Sequence, residues 1–316
     1  MSSKKKNQRG LVLALLPVLL VVFVSGCTTD SVGTGKGVVI SAFEPDFAQI
    51  NSGERVSLQL KMQNMGEVRA RDVSAELSGI DPQTWNFYGT ADTMINFGDL
   101  LAPDTVSNTP GQIRSAEWIM FAPELPQGTN FAYTPIVRVS YDYQTVAHKP
   151  IMLIDENELR RIIQQGRGSL ATGKPTENSA GPFTVTVAAG DYVKTSGPGG
   201  QTRDIFPIHI HISNDLWETG GSVAPLINEP ASYPVLVTVE EPSGTEFFNS
   251  GSYLSDCSGT MIVDLWKGKD ADITCELEVV SPPPITTEDL MKITLDYRFF
   301  IDARTNINVV GQTRPY

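Results

Sequence analysis

Apolar and polar positions alternate along most of this chain. Residues 55–63 (RVSLQLKMQ) place Val56, Leu58, Leu60 and Met62 on one face, the period of a half-buried strand. Residues 38–43, 68–77, 117–121, 136–146 and 150–154 continue the strand pattern in the first half. Residues 183–189, 205–212, 234–240, 261–265, 273–280 and 292–301 continue it in the second. Turn-forming residues punctuate the runs, as at Glu44-Pro45-Asp46, Asn64-Met65-Gly66 and residues 98–104. Short strands at this spacing predict an all-β chain of antiparallel sandwiches. One stretch has helical spacing. Asp155 or Asn157 can cap it, Glu158 completes a capping box, Leu159, Ile162 and Ile163 share a face, and Gly166 can end it. This predicts a short helix over residues 156–165.

The two halves repeat one another. Val139-Ser140-Tyr141-Asp142-Tyr143 answers Leu295-Asp296-Tyr297-Arg298-Phe299, and the same offset pairs Ile151 with Ile307 and Leu153 with Val309. Asp99-Leu100 answers Asp264-Leu265, and the strand ending at Asn64 answers the one ending at Asn214. The expected organisation is a signal or anchor (1–26), a small polar tether (27–37), a first sandwich (38–154), a helix and linker (155–182), a second sandwich (183–311) and a tail (312–316). Tyr141 and Tyr297 occupy equivalent positions, which predicts a shared structural role, a phenol capping one sandwich end through the backbone.

The start of the chain carries an address. Lys4, Lys5, Lys6 and Arg9 precede an apolar run, residues 11–24, that ends in Val24-Ser25-Gly26-Cys27. A basic segment followed by a short apolar core is an export signal. Its ending resembles the lipobox of lipoprotein signal peptides, which implies cleavage before Cys27 and lipidation of its thiol. An uncleaved anchor, a pilin-type leader cut after Gly10, and ordinary secretion are the alternatives. The first two also leave the bulk of the chain tethered outside the membrane.

Charge narrows the partners. The whole chain has 24 basic and 36 acidic residues; without residues 1–26 it keeps 20 basic ones, for a charge of −16. That balance argues against nucleic acid and against anionic lipid surfaces, and it suits solubility at a cell surface. Cys27 aside, Cys257 and Cys275 form an even pair, read as one disulfide in an exported chain, with two buried thiols as the alternative.

Chemistry is sparse. There are three histidines. His148 falls in a turn-like stretch. His209 and His211 lie two apart on a strand, so they share a face and are weak metal candidates lacking a local third ligand. No HExxH, GxSxG, phosphate-binding glycine loop or EF-hand loop occurs. No catalytic residue, resident metal or cofactor is expected. Acidic pairs such as Glu240-Glu241, and Asp270 with Asp272, read as surface, with calcium binding by an acidic turn as the alternative. Two aromatic-bearing segments are candidate binding loops: residues 81–94, with Trp85, Phe87 and Tyr88, and residues 214–233, with Trp217 and Tyr233. The competing reading is that these aromatics plug the sandwich ends.

Residues 53–77 and 98–123, with their alternating strand, Asn64-Met65-Gly66 turn and Gly98–Pro103 turn, resemble the immunoglobulin-like extracellular modules of the CARDB and NEW3 type. The segments LWKGKDADITCELEV and MKITLDYRFF resemble repeats in archaeal membrane-anchored proteins. The resemblance implies two tandem immunoglobulin-like sandwiches with adhesive or spacing roles on a surface, and it carries over no catalytic residue. The expected function is a lipid-anchored, non-enzymatic binding, adhesion or scaffold protein meeting surface proteins or glycans. A structural subunit of an envelope layer or filament, and a carbohydrate-binding or processing accessory, are the alternatives.

Overall fold

A computed structural model describes residues 36–88, 92–165, 173–196, 203–226, 229–248 and 257–312. The expected signal, Cys27 and Gly166 lie outside these residues. Among them, alternation becomes strands. The first half contributes β1 (Val38–Pro45), β2 (Gln49–Asn51), β3 (Arg55–Asn64), β4 (Ala70–Ser78), β5 (Asn86–Phe87), β6 (Met94–Leu100), β7 (Ile113–Phe121), β8 (Asn130–Tyr133) and β9 (Ile136–Asp155). Helix α1 (Glu156–Gln164) follows. The remainder contributes β10 (Glu177–Asn178), β11 (Phe183–Ala188), β12 (Val193–Thr195), β13 (Asp204–Asn214), β14 (Ser222–Val223), β15 (Pro234–Glu240), β16 (Thr245–Phe247), β17 (Gly259–Asp264), β18 (Asp270–Val279), β19 (Thr286–Arg304) and β20 (Ile307–Val310).

Each half builds a four-stranded sheet with the same connectivity, β1-β3-β7-β5 in the first and β11-β13-β18-β16 in the second. The opposing layer is common to both. Its strand order is β17-β15-β19-β9-β4-β6, so the last long strand of each half pairs with that of the other. The β9–β19 register is antiparallel and unbroken from Ile136↔Arg304 to Ile154↔Thr286. The same register resumes beyond a break, where β8 pairs β20 from Tyr133↔Ile307 to Asn130↔Val310. Asp142 lies opposite Arg298, and these two residues are equivalent in the internal repeat, 156 apart. A pseudo-twofold axis therefore passes between them, and the described residues of both halves belong to one compact unit.

Period-two geometry sorts the shared sheet into two faces. Val137, Val139, Tyr141, Tyr143, Thr145 and Ala147 of β9 are buried, as are Met291, Ile293, Leu295, Tyr297 and Phe299 of β19. Both four-stranded sheets cover this face. Phe183, at the start of β11, packs edge-on against Tyr297 at 4.6 Å and Phe299 at 5.9 Å. Tyr141 and Tyr143 contact each other, and each contacts its partner across β19. The seam between the halves is thus an aromatic core. The other face carries polar ladders: Arg138 with Asp302 at 2.8 Å, Gln144 with Asp296 at 2.8 Å, and Arg298 with both Asp72 and Asp142 at 2.9 Å.

Helix α1 forms where the spacing predicts. Asp155 is its N-cap, and its carboxylate accepts from the amides of Asn157 and Glu158 at 2.8 and 3.2 Å. The reciprocal half of the capping box does not form. Asp155 is still a strand residue whose amide donates to the Ile285 carbonyl, so Glu158 turns to Arg161 instead. Leu159 is buried, whereas Ile163 is exposed. Residues 173–182, expected to be part of a linker, are stitched to the sheet: Glu177 and Asn178 pair with His148 and Ala147, and the Ser179 amide donates to Val146.

The capping tyrosine is Tyr143 rather than Tyr141 or Tyr297. Its hydroxyl accepts from the Val68 amide at 3.2 Å and donates to the Ala180 carbonyl at 3.0 Å, fastening two loops to the seam. Gly66 leaves room for it, because a Cβ there would sit 1.9 Å from the Tyr143 oxygen. Tyr297 exchanges a 2.6 Å hydrogen bond with Thr145 inside the core. The Tyr141 hydroxyl faces the Val38 main chain without completing a hydrogen bond of ordinary geometry. Burial raises all three phenols: Tyr143 is pushed up to about 12, and Tyr141 and Tyr297 are also held well above the usual range.

The cysteine pair is a disulfide, with Cα atoms 5.9 Å apart. Cys257 lies just before β17 in the shared sheet and Cys275 lies in β18, so the bridge staples the two layers of the second half.

Tyr143→Phe leaves the part-buried Val68 amide short of its acceptor, which costs about 1–2 kcal/mol, while the Ala180 carbonyl keeps the Glu67 amide; Tyr141→Phe is near neutral, and equal losses in denaturant unfolding would contradict the assignment. Because the folded pKa of Tyr143 lies above the unfolded value of about 10, its contribution is complete below that pH and is lost as pH rises through about 12. Tyr143→Phe should flatten part of that alkaline fall. Separately, replacing Cys257 and Cys275 together by alanine should lower unfolding free energy by about 3 kcal/mol, read from urea titrations of oxidised wild type and variant.

Candidate binding surface

Two buried asparagines organise the loops nearest the seam. At the end of β3, the Asn64 amide group donates to the carbonyls of Val68 at 2.9 Å and Leu100 at 3.0 Å, and its oxygen accepts from the Gly66 amide at 3.1 Å. At the end of β13, the Asn214 amide group donates to Gly221 at 3.0 Å and Gly268 at 2.9 Å, and its oxygen accepts from Leu216 at 2.9 Å. Each side chain replaces the missing backbone partners of two loops. The entry of the chain into the fold lies beside the first, where the Gly37 carbonyl accepts from the Met65 amide at 2.8 Å.

The loops these struts hold present apolar side chains to solvent. Met65, Leu101 and Val106 are exposed in the first half, and Trp217, Leu226 and Trp266 in the second. Val106, 95% exposed, tops a turn closed by Asp104. The Asp104 carboxylate accepts from the Ser107 hydroxyl at 2.6 Å and from the Val106 and Ser107 amides, and these bonds hold it below the usual carboxylate range. Trp266, 69% exposed, opens the turn between β17 and β18. Lys267 and Gly268 have φ of 52° and 74°, and the Lys269 amide returns to the Trp266 carbonyl at 2.9 Å. This is a hairpin turn that needs positive φ at both central residues. The Lys267 ammonium lies 5.4 Å from the Trp266 ring centre, a contact that orients the indole.

The two aromatic segments singled out in the sequence do not converge. Residues 81–88 lie at the end of the first half away from Asn64, where β5 pairs with Phe121 and Met120 of β7. Trp85 is fully buried there and stacks edge-on to Tyr133 at 5.0 Å, so it plugs the core and is not binding surface. Phe87 is half-buried in β5, and Tyr88 is 72% exposed. Trp217 and Tyr233 belong to the Asn214 end. Trp217 is 38% exposed on a single 3-10 turn, while Tyr233 is half-buried and its amide donates to the Asp264 carboxylate.

His209 and His211 project from the outer face of the second four-stranded sheet, as their alternation requires, whereas His148, expected in a turn, lies within β9 between Glu177 and Lys292. His209 Nδ1 meets the Thr274 hydroxyl at 3.0 Å, and His211 Nδ1 meets Asp272 at 2.8 Å. Among the described residues no three His, Cys, Asp or Glu side chains converge as a metal would need. Of the acidic residues considered, Glu240 is paired with Lys292 at 2.6 Å and Asp270 with Lys269 at 3.5 Å. An open cleft of about 480 Å³, bordered by Tyr192, Lys194, Asp204, Ile205, Pro207 and His209, lies beside β12.

Trp266 is the residue sequence reasoning passed over. The signal was present: a tryptophan beside Lys-Gly-Lys, immediately after an alternating strand, marks a hairpin tip rather than a core position. The contrast between buried and exposed indoles gives a test. Trp85→Ala should cost about 3–5 kcal/mol of stability, while Trp266→Ala and Tyr88→Ala should leave the thermal midpoint unchanged. A large loss for Trp266→Ala would place it in the core instead. Neither a protein-family model nor a curated protein matches this chain.

Proposed function

We propose that this chain is a membrane-anchored, non-enzymatic binding or scaffold protein of the cell surface, its bulk outside the membrane and lipidated at Cys27. The observation that carries the reading is the run from Lys4 to Cys27, a basic segment, an apolar core and a lipobox-like ending. The Cys257–Cys275 disulfide supports it, since such bonds persist in oxidising compartments. In this reading the halves are immunoglobulin-like modules of the CARDB and NEW3 type. They have fused their layers into one rigid body, and recognition falls to the strut-held loops bearing Met65, Val106, Trp217 and Trp266. Surface proteins and glycans are the partner classes.

Rigidity matters to binding because loops already ordered lose less conformational entropy on contact. The Asn64, Asn214 and Asp104 hydrogen bonds supply that order before any partner arrives.

The test is expression of the full chain in a lipoprotein-processing host, followed by intact mass and membrane fractionation. Wild type should lose residues 1–26, gain acyl mass and sediment with membranes; Cys27→Ser should lose the acyl mass. A wild-type chain that retains residues 1–26 without acyl groups overturns lipidation, and release into the medium overturns anchoring. Glycan hydrolysis by the purified chain would overturn the non-enzymatic part.

A further inference from the structure

Among the described residues, one edge strand of six residues or more carries no blunting device. In β1 the extra residue Ser41 breaks the register with β3. In β6 the pairing with β4 shifts twice, and Gly98 has φ of 67°. The free side of β11 is covered by side chains: Asn178 bonds both polar groups of Val185, and Thr176 accepts from the Val187 amide. The edge strands β2, β5, β8 and β16 have four residues or fewer, and the stretches of β7 and β18 that β5 and β16 leave unpaired carry charges at Arg114, Glu117, Asp270, Asp272 and Glu276. Bulges, covering groups and shortness are the devices that prevent edge-to-edge pairing.

β17 has none of them. Its six residues, Gly259–Asp264, keep an unbroken register with β15. It contains neither lysine nor proline, and its one charge is at the terminal Asp264. The Leu265 amide donates to Tyr233 on the β15 side at 3.1 Å. Antiparallel alternation therefore turns the main-chain groups of Met261 and Val263 toward β15, and those of Thr260, Ile262 and Asp264 toward the open edge. On the outer face, Ile262 is 75% exposed and lies directly across from Leu236, itself 42% exposed. On the inner face, Met261 and Val263 are only half-buried, whereas Val235 and Val237 on the next strand are fully buried. Among the described residues, no strand beyond β17 covers either of its faces.

We propose that β17 is a self-association edge, at which a second copy of this chain pairs antiparallel through its own β17 about a twofold axis at Ile262. In that register Ile262 faces Ile262 of the second copy, and Thr260 faces Asp264 in both directions. All three outward-turned residues then lie in hydrogen-bonded positions. The exposed pair becomes a continuous apolar row, Leu236, Ile262, Ile262, Leu236, across the joined sheet. No charge is forced opposite a like charge, because the acidic residue meets a hydroxyl. The chain already uses this solution internally: β9 and β19 join its halves by antiparallel pairing about a twofold axis. The inference does not depend on the anchoring proposed above.

The experiment uses the full chain with Cys27→Ser, in detergent, so that no other thiol outside the disulfide takes part. Sedimentation across a concentration series should show a monomer–dimer equilibrium. Ile262→Lys places a charge at the axis and should weaken the dimer at least about a hundredfold, with an unchanged thermal midpoint. Ile262→Cys should yield a disulfide-linked dimer on mild oxidation, because opposed Cα atoms lie about 5.5 Å apart in such pairs. Leu236→Cys should not, since three strand spacings separate the two copies by about 14 Å. A wild type that stays monomeric throughout overturns the proposal. So does a dimer that survives Ile262→Lys, or one that cross-links through Leu236→Cys but not through Ile262→Cys.

Discussion

Nineteen consecutive residue pairs between β9 and β19 make one body of two halves. The Arg298–Asp142–Asp72 cluster marks the axis, yet it does not supply the strength. Its members are 39–70% exposed, and ion pairs at such sites contribute about 0–1 kcal/mol. The weight falls on the other face. Tyr141, Phe183 and Phe299 are removed from water there, and complete burial of a large apolar side chain contributes about 1.5–3 kcal/mol. Because the two strands are the innermost of the shared sheet, neither half can withdraw without exposing that aromatic seam.

This constraint explains the placement of the polar groups on the inward row. Thr145 and Lys149 interrupt the apolar alternation of β9 where it runs under the seam. Thr145 meets the Tyr297 hydroxyl, and the Lys149 ammonium donates to the Lys174 carbonyl at 2.5 Å. Both of these side chains have a partner brought from far along the chain, as burial demands. The segment that supplies Lys174 also supplies Ala180 to Tyr143. A stretch whose small and polar composition reads as linker therefore acts as a strap across the sheet.

The strands, the helix with its Asp155 cap and the disulfide were legible because each has a local signature: period two, helical spacing beside a capping residue, an even cysteine pair. The repeat was legible as well, but its consequence was not. Alternation in residues 136–146 records that one face is buried; it is silent on which strand lies alongside, since hydrogen-bond pairing leaves no mark on side-chain periodicity. Hence two sandwiches in series were expected where a common sheet joins the halves. The same gap left Trp85 open between a binding loop and a plug of the core. Asp-Pro-Gln-Thr-Trp reads as loop, and only the returning strand β8, with Tyr133, turns that loop inward. The capping tyrosine was placed one alternate position away, at Tyr141, because the choice between Tyr141 and Tyr143 depends on where the Val68 and Ala180 loops come to rest.

Comparison of the halves separates what the fold needs from what it permits. Asn64 and Asn214 keep the same residue and the same three-way hydrogen bonding, and Leu100 and Leu265 are both buried beside them. At the tips these positions support, the halves diverge. One carries Val106 on an Asp104-closed turn; the other carries Trp266 on a Lys267-Gly268 turn. A duplicated scaffold whose struts are held constant while its tips change chemistry can present two different contacts from one rigid frame. The proposed recognition role would draw on that division, with the struts shared and the tips distinct.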